Sequence, residues 1–150
     1  MIVVGVDGSG SSGDAIRWAI EEARLRETNV SAIYVWQSPL VTGLHYIPPD
    51  LLDPDALEGH AREIVEAAVA ETGGPPPDVE VECRAVEGTP TAALVEASRG
   101  AELLVLGSRG HGGFHGLLLG SVGQQCVQHA VCPVVIVRPA HDGTNERSTT

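Results

Sequence analysis

The chain has 150 residues, enough for one domain with a substantial core, and a formal net charge of −11 at pH 7. This charge argues against nucleic acid or an anionic membrane surface as a partner, since both repel an acidic protein. All nine basic residues are arginine, which excludes a P-loop lysine, a Schiff-base lysine and the lysine of the protein-kinase fold.

The first residues and the cysteines both indicate a cytoplasmic protein. Met1 leads straight into Ile2-Val3-Val4, without the basic start and cleavage site of a signal peptide. No apolar run approaches the roughly 18 residues that a membrane span needs. Three cysteines, without metal-type spacing, are expected to be reduced and mostly buried thiols: Cys83, Cys126 and Cys132.

The first part of the chain alternates between strand and helix patterns. The apolar run 2–6 predicts a central parallel strand, and it ends at a polar turn, 7–12, rich in residues that cap helices. A helical pattern follows over 13–27, and the β-formers of 30–36 predict a second strand. The segment 37–52 contains prolines and glycines without a clear period, which is typical of a functional lid or a mobile loop.

The same alternation continues after this loop. Asp53-Pro54 predicts a helix start, with proline at the first helical position and a helix to about residue 71. Apolar and charged residues then alternate over 79–86, which indicates a strand with one solvated face, most naturally at a sheet edge. Thr89-Pro90 repeats the start signal for a short helix to about residue 98, and 102–107 is a further apolar strand.

The most informative stretch is Gly107 to Gly123, which contains seven glycines in 17 residues. Such density indicates that the backbone approaches something closely or adopts positive φ repeatedly. Apolar residues resume at Leu117, and a helix-like segment, with Ser121 at its start, runs to about Ala130. A buried strand, a glycine-rich loop and a helix N-terminus together form an anion site, for which a nucleotide phosphate is the expected ligand.

The apolar run 133–137 predicts a last strand. The chain is therefore predicted to contain five strands that alternate with four helices. The order predicts an α/β protein with a doubly wound parallel sheet and helices on both faces, over residues 1–139, followed by a flexible polar tail at 140–150. Ligands bind such sheets at the carboxyl ends of strands, where the strand order reverses. If strands one and four are neighbours, the loops 7–12 and 107–120 face each other, with Asp7 placed for ligand hydroxyls.

The motif Gly107-x2-Gly110-x9-Gly120-Ser121 resembles the ATP-binding signature of the universal stress protein family. The resemblance extends from Ile2 to Val137. It implies a five-stranded sheet of order 3-2-1-4-5, an adenine nucleotide alpha-hydrolase-like fold and adenine nucleotide binding. It also implies homodimers through the last strand, whose apolar residues would otherwise form an exposed edge: Val134, Val135, Ile136 and Val137.

Carried over by position, the resemblance implies that Asp7 bonds the ribose and that Val35 lies beside the adenine of ATP, with Mg²⁺ brought by the nucleotide. It assigns no catalytic residue. No protein metal site is expected, since the glycines around His111 and His115 disfavour the helix that their spacing would need. The candidate cofactor-binding residues are Gly5, Asp7, Val35, Gly107, Ser108, Arg109, Gly110, His111, Gly112, Gly113, Gly120, Ser121 and Val122.

Several of these residues have simpler interpretations. Asp7 and Ser121 could serve only as helix caps, and the glycines as turn formers. Arg109 could pair with phosphate or be a solvated charge. Trp36 could pack in the core or touch a base.

The functional hypothesis is a nucleotide-dependent regulator of the stress response rather than an enzyme, with any ATP hydrolysis slow and incidental. One alternative is an enzyme, either a slow ATPase or a protein like the adenylating enzymes or electron-transfer flavoproteins. The chain lacks a Walker lysine, a kinase catalytic loop and a Ser-His-Asp pattern. The other alternative is a structural dimer without nucleotide.

Overall fold

Five parallel strands form one sheet in the order β3-β2-β1-β4-β5, with the helices in the connections. The computed structural model describes residues 1–39, 46–49, 53–110 and 119–139. The strands are β1 (Ile2–Val6), β2 (Val30–Trp36), β3 (Val81–Glu87), β4 (Leu103–Gly107) and β5 (Val134–Val137). The helices are α1 (Gly10–Leu25), α2 (Pro54–Glu71), α3 (Pro90–Ala97) and α4 (Ser121–His129), with a short 3-10 turn at Ser98–Gly100. This confirms the predicted doubly wound fold and its strand order.

The central strands are β1 and β4, which pair in parallel with Ile2 opposite Leu103 and Val4 opposite Val105. Both strands are almost entirely buried, as their continuous apolar sequences predict. Since strand order reverses between them, their carboxyl ends leave a crevice at the edge of the sheet.

Apolar side chains cover both faces of the sheet. On one face, residues of α1 and α2 such as Ile16 and Val65 are fully buried against the sheet. On the other face, Leu94 of α3 and Cys126 of α4 pack with Val3 and Leu104. No helix in the described part of the chain is long and apolar enough to cross a membrane.

The three cysteines are free thiols. Cys126 is buried, whereas Cys83 and Cys132 are half-buried. Burial raises the pKa of each thiol above its ordinary value, and the carboxylate of Glu66 raises that of Cys83 further. A raised thiol pKa leaves little reactive thiolate at neutral pH, as expected of packed cysteines.

The start of α1 differs from the sequence prediction: the helix begins at Gly10 rather than residue 13. Ser9 is its N-cap, and the Ser12 N–H donates to Ser9 Oγ over 3.3 Å. The interpretation of Asp7 as the cap of α1 is therefore wrong. The carboxylate instead accepts hydrogen bonds from the N–H and hydroxyl of Ser9.

The starts of two further elements differ slightly from the sequence prediction. β3 begins at Val81 rather than 79, because the Val79 N–H donates to the Pro76 carbonyl in a turn. The N-cap of α4 is Gly120, so Ser121 is the first helical residue and not the cap. Thr89 precedes α3 as expected but makes no capping bond, whereas Asp53 accepts from the Asp55 N–H over 3.0 Å.

Candidate functional site

A cavity of about 370 Å³ lies at the carboxyl ends of β1 and β4. This is the crevice in which an open α/β sheet binds its ligands. Its volume falls within the range of about 300–1,000 Å³ that small-molecule sites occupy. Its walls come from the β1–α1 loop, the carboxyl end of β2, the residues after β4 and the starts of α3 and α4.

The β1–α1 loop is fixed by hydrogen bonds within the loop. The Ser9 N–H donates to Asp7 Oδ1 over 2.9 Å, and the Ser12 hydroxyl donates to the Ser9 carbonyl over 2.9 Å. Gly8, with φ of 79°, makes the turn that brings the chain from strand to helix. These bonds place the Asp7 side chain at the wall of the cavity.

The glycine-rich segment is anchored at both of its described ends. The Ser108 N–H donates to the Val137 carbonyl, and the Gly120 N–H donates to the Ser108 carbonyl, each over 2.9 Å. The Arg109 N–H also donates to Ser11 Oγ over 3.3 Å, which joins this segment to the start of α1. Residues 109–110 and 119–120 are thereby held at the mouth of the crevice.

Close approach, not positive φ, explains Gly107 and Gly110 in this segment. A Cβ on Gly107 would lie 2.4 Å from Ser11 Oγ and 2.7 Å from the Ser11 backbone. A Cβ on Gly110 would lie 2.6 Å from Asp7 Oδ2. Gly120 is different, since a Cβ there would have no neighbour closer than 3.8 Å. Positive φ occurs among the described glycines only at Gly8, Gly73, Gly74 and Gly88.

The first turn of α4 faces the cavity through Ser121, Val122 and Gly123. The first N–H groups of a helix have no partner within it, and the Gly120 cap contributes no side-chain bond. The positive end of the helix dipole also lies here. This wall can therefore accept a negatively charged group.

The opposite wall is apolar. It is formed by Ile33 and Val35 of β2, Leu106 of β4 and Leu94 of α3. Gly5 allows Leu106 to pack directly against β1, because a Cβ on Gly5 would lie 2.6 Å from Leu106 Cδ2. Such a surface suits a flat apolar group such as a nucleobase.

The described lining contains two charged side chains, Asp7 and Arg109. They differ in sign, so this part of the wall carries no formal net charge despite the acidity of the chain. No group of three or more metal-binding side chains is found within residues 1–39, 46–49, 53–110 and 119–139.

The structure brings most of the predicted site residues together. Nine line the cavity: Gly5, Asp7, Val35, Gly107, Arg109, Gly110, Gly120, Ser121 and Val122. Ser108 does not line the cavity; it is only 2% exposed, and its backbone bonds Val137 and Gly120. His111, Gly112 and Gly113 lie outside the described residues, as do parts of the 37–52 loop and the tail.

The contribution of α3 to the cavity was not predicted from the sequence. Pro90 and Leu94 line the cavity because α3 packs on the face of the sheet opposite α1 and α2. The only local signal was the position of Thr89-Pro90 directly after a strand, where ligand-binding loops of α/β sheets lie. Ser12, Tyr34 and Gly123 were also missed.

An open doubly wound sheet with a cavity where its strand order reverses is typical of ligand-binding α/β proteins. The model of the Universal stress protein family matches residues 1–138. The chain therefore belongs to the universal stress protein family, as its glycine motif indicates.

Individual relatives agree with this assignment. A universal stress protein of Mycolicibacterium smegmatis is 36% identical over 138 residues, which are 92% of this chain and 45% of that protein. The chain thus spans about half the length of this relative. The structure of the universal stress protein UspA from Lactobacillus plantarum is similar with a TM-score of 0.69 and 27% identity, over 91% of this chain and 96% of that one.

One similar structure holds a nucleotide. It is a universal stress protein in complex with cAMP, with a TM-score of 0.63 and 26% identity. The match covers 91% of this chain and 94% of that one.

Proposed function

We propose that the protein binds an adenine nucleotide, ATP with its Mg²⁺, in the cavity between β1 and β4. The observation that carries this proposal is the convergence of the signature glycines Gly107, Gly110 and Gly120 on one cavity, with the Asp7 carboxylate beside Gly110. The similar protein that binds cAMP supports the same class of ligand.

The wall chemistry supports one orientation of the nucleotide. The uncapped first turn of α4 and the Arg109 side chain suit the phosphates. Asp7 suits the ribose hydroxyls as an acceptor, and the apolar surface at Val35 suits the adenine. Mg²⁺ needs only one or two protein oxygens besides the phosphates, so no preformed group of metal ligands is required.

We further propose that binding, not turnover, is the function, so that the bound nucleotide selects a conformation that other molecules recognise. Phosphoryl transfer requires a positioned nucleophile and cations for the developing charge. Among the described residues, the cavity offers one basic side chain, Arg109, and one carboxylate, Asp7. Measured hydrolysis that matches the rate of a dedicated ATPase would contradict this part of the proposal.

We also propose a homodimer through β5. The two edge strands differ: β3 exposes Glu82, Arg84 and Glu87, charges that discourage pairing, whereas β5 consists of four apolar residues. Exposed valines precede it, Val127 at 52% and Val131 at 63%. A second copy can cover this apolar edge by an isologous contact.

Gly120→Val tests the nucleotide site. The backbone at Gly120 (φ −68°, ψ 165°) suits valine, and the new side chain would occupy space beside the Gly110 N–H. We expect the Kd for Mg-ATP, measured by isothermal titration calorimetry, to rise at least about 100-fold.

Gly100→Val is the matched control, because a Cβ there meets nothing within 4 Å and the residue does not line the cavity. It should bind Mg-ATP as the unchanged protein does. Equal affinity in both variants would overturn the assigned site, and no measurable binding by the unchanged protein would overturn the proposal itself.

A further inference from the structure

A second cavity, of about 290 Å³, lies beside the first at the carboxyl end of β2. Its wall is mainly apolar, formed by Val35 and three residues of α2, Leu57, Ala61 and Ile64. The volume is near the lower limit of small-molecule sites, which leaves room for one compact ring system.

Trp36, the last residue of β2, lines this cavity and presents an unusual polar atom. Its indole Nε1 is buried and has no hydrogen-bond partner within the described part of the chain. A buried donor without an acceptor costs about 1–3 kcal/mol, so such groups are rare in native proteins. Indole nitrogens that are buried normally find a partner. An acceptor on a bound molecule would supply it.

The remaining polar groups of the wall indicate an uncharged ligand. His60 is 74% exposed at its side chain and lies 3.7 Å from a Glu63 oxygen, so it faces solvent at the rim. Gln37 is also exposed. No arginine and no first turn of α4 contributes to this wall, in contrast to the first cavity. A phosphate would find no cationic partner among these described residues.

We propose that this second cavity binds an uncharged planar ring system that carries a hydrogen-bond acceptor, a ring nitrogen or a carbonyl oxygen, at its edge. The acceptor bonds the Trp36 indole N–H, and the ring packs against the apolar side of α2 formed by Leu57, Ala61 and Ile64. The site is separate from the proposed nucleotide site, although the two cavities share Tyr34, Val35 and Pro90 in their walls.

The test uses isoquinoline and naphthalene, which share one shape but differ in the acceptor nitrogen. The chain contains two tryptophans, so a ¹⁵N-labelled sample gives two indole N–H signals, assigned with Trp18→Phe. We expect isoquinoline, at a pH where it is neutral, to move the Trp36 signal downfield in a saturable manner. It should bind at least about fivefold more tightly than naphthalene, the effect of one hydrogen bond of about 1 kcal/mol.

Two variants test the role of the Trp36 N–H and the separation of the two sites. Trp36→Phe keeps an aromatic ring without the donor, and ligand-observed NMR should show that it no longer distinguishes the probes. Gly120→Val should bind isoquinoline unchanged, which separates this site from the nucleotide site. Equal affinity for both probes, an unmoved Trp36 signal, or loss of isoquinoline binding in Gly120→Val would overturn the proposal. If Trp36→Phe fails to fold, the comparison of isoquinoline with naphthalene in the unchanged protein still tests the proposal.

Discussion

At the scale of single residues, Gly107 and Gly110 are needed for different reasons. The neighbour of Gly107 is the backbone of Ser11, which cannot move without shifting α1. The neighbour of Gly110 is the Asp7 carboxylate, a side-chain group that accepts hydrogen bonds from Ser9. Gly107 therefore supports the packing of β4 against α1, and Gly110 leaves room for the Asp7 side chain at the cavity wall.

Gly107→Ala should destabilise the protein. The added methyl would lie 2.7 Å from the Ser11 backbone, and overpacking of this kind costs about 1–3 kcal/mol. The free energy of unfolding, measured with urea, should fall by that amount. Gly100→Ala, where the new methyl meets nothing within 4 Å, is the matched control and should leave it nearly unchanged. Similar stability of the two variants would contradict the packing of Gly107 against α1.

Two buried serines give a second test at this scale. Ser31 and Ser98 are 0% and 1% exposed, but of the two only the Ser98 hydroxyl forms a hydrogen bond with a described residue. Its hydroxyl donates to the Val95 carbonyl over 2.6 Å and accepts from the Val131 N–H over 3.0 Å. Ser31 Oγ has no partner among the described residues.

Ser31→Ala should therefore raise the free energy of unfolding by about 1 kcal/mol, because it removes an unsatisfied buried oxygen. Ser98→Ala should lower it by about 1–3 kcal/mol, since the Val131 N–H loses its acceptor. Urea unfolding measures both. A greater loss in Ser31→Ala than in Ser98→Ala would show that the Ser31 hydroxyl has a partner in solution.

Sequence reasoning located Asp7 and the glycines because their signal is local: each follows a buried strand. It did not predict that Ser108 is buried away from the cavity, because that position depends on hydrogen bonds to Val137 and Gly120. Val137 is distant from Ser108 in the sequence, and Gly120 follows the glycine-rich loop, so no local pattern predicts either hydrogen bond. Ser9, the N-cap of α1, lies in the same polar turn, 7–12, as Asp7. Serine and aspartate are equally favoured at the N-cap, so the sequence alone does not choose between them.

At the scale of elements, most helix and strand positions follow from local pattern. α2 begins at Pro54 as its proline and capping aspartate predict, and the alternation of β3 correctly indicates an edge strand. The side-chain contacts between elements are harder to predict from the sequence. The bidentate pair between Arg24 of α1 and Asp78 before β3, with N···O distances of 2.6 and 3.0 Å, has no sequence signal.

This pair makes stability depend on pH. The hydrogen bond from Arg24 lowers the pKa of Asp78 below its ordinary value. A carboxyl group with a lowered folded pKa stabilises the protein above its unfolded pKa, and this contribution disappears as the pH falls through the folded pKa. Both side chains are exposed, so the effect is small and sensitive to salt.

Asp78→Asn should lower the urea midpoint modestly at pH 7, and the difference from the unchanged protein should vanish in acid once Asp78 is protonated. Glu21→Gln is the control for the loss of one negative charge, because Glu21 is exposed and forms no ion pair with a described residue. A difference that persists at low pH would contradict the assigned ion pair.

At the scale of the whole molecule, the sheet order explains both the site and the proposed dimer. The order places β1 beside β4, which brings loops 100 residues apart in sequence to one crevice, as a doubly wound sheet predicts. The same order leaves β5 at one edge. The contribution of Pro90 and Leu94 could not be predicted, because it depends on which face α3 covers.

Val131→Arg tests the dimer. The side chain is 63% exposed, so the change should not disturb the core, but it would bury a charge in a β5 contact. We expect the dimer Kd, measured by analytical ultracentrifugation, to rise at least about tenfold, about 1.4 kcal/mol. Leu25→Arg adds the same charge to α1, at a residue 81% exposed, and should leave the dimer intact. A monomeric unchanged protein, or equal effects of both variants, would contradict the proposed interface.

Native mass spectrometry tests the central claim most directly. The protein is purified gently, weighed intact, and then denatured so that any released molecule can be identified. The account predicts an added mass of one adenine nucleotide per chain, retained by Gly100→Val and lost by Gly120→Val. A protein that carries no nucleotide, and takes up none from added Mg-ATP, would contradict it and leave the nucleotide-free dimer as the better description.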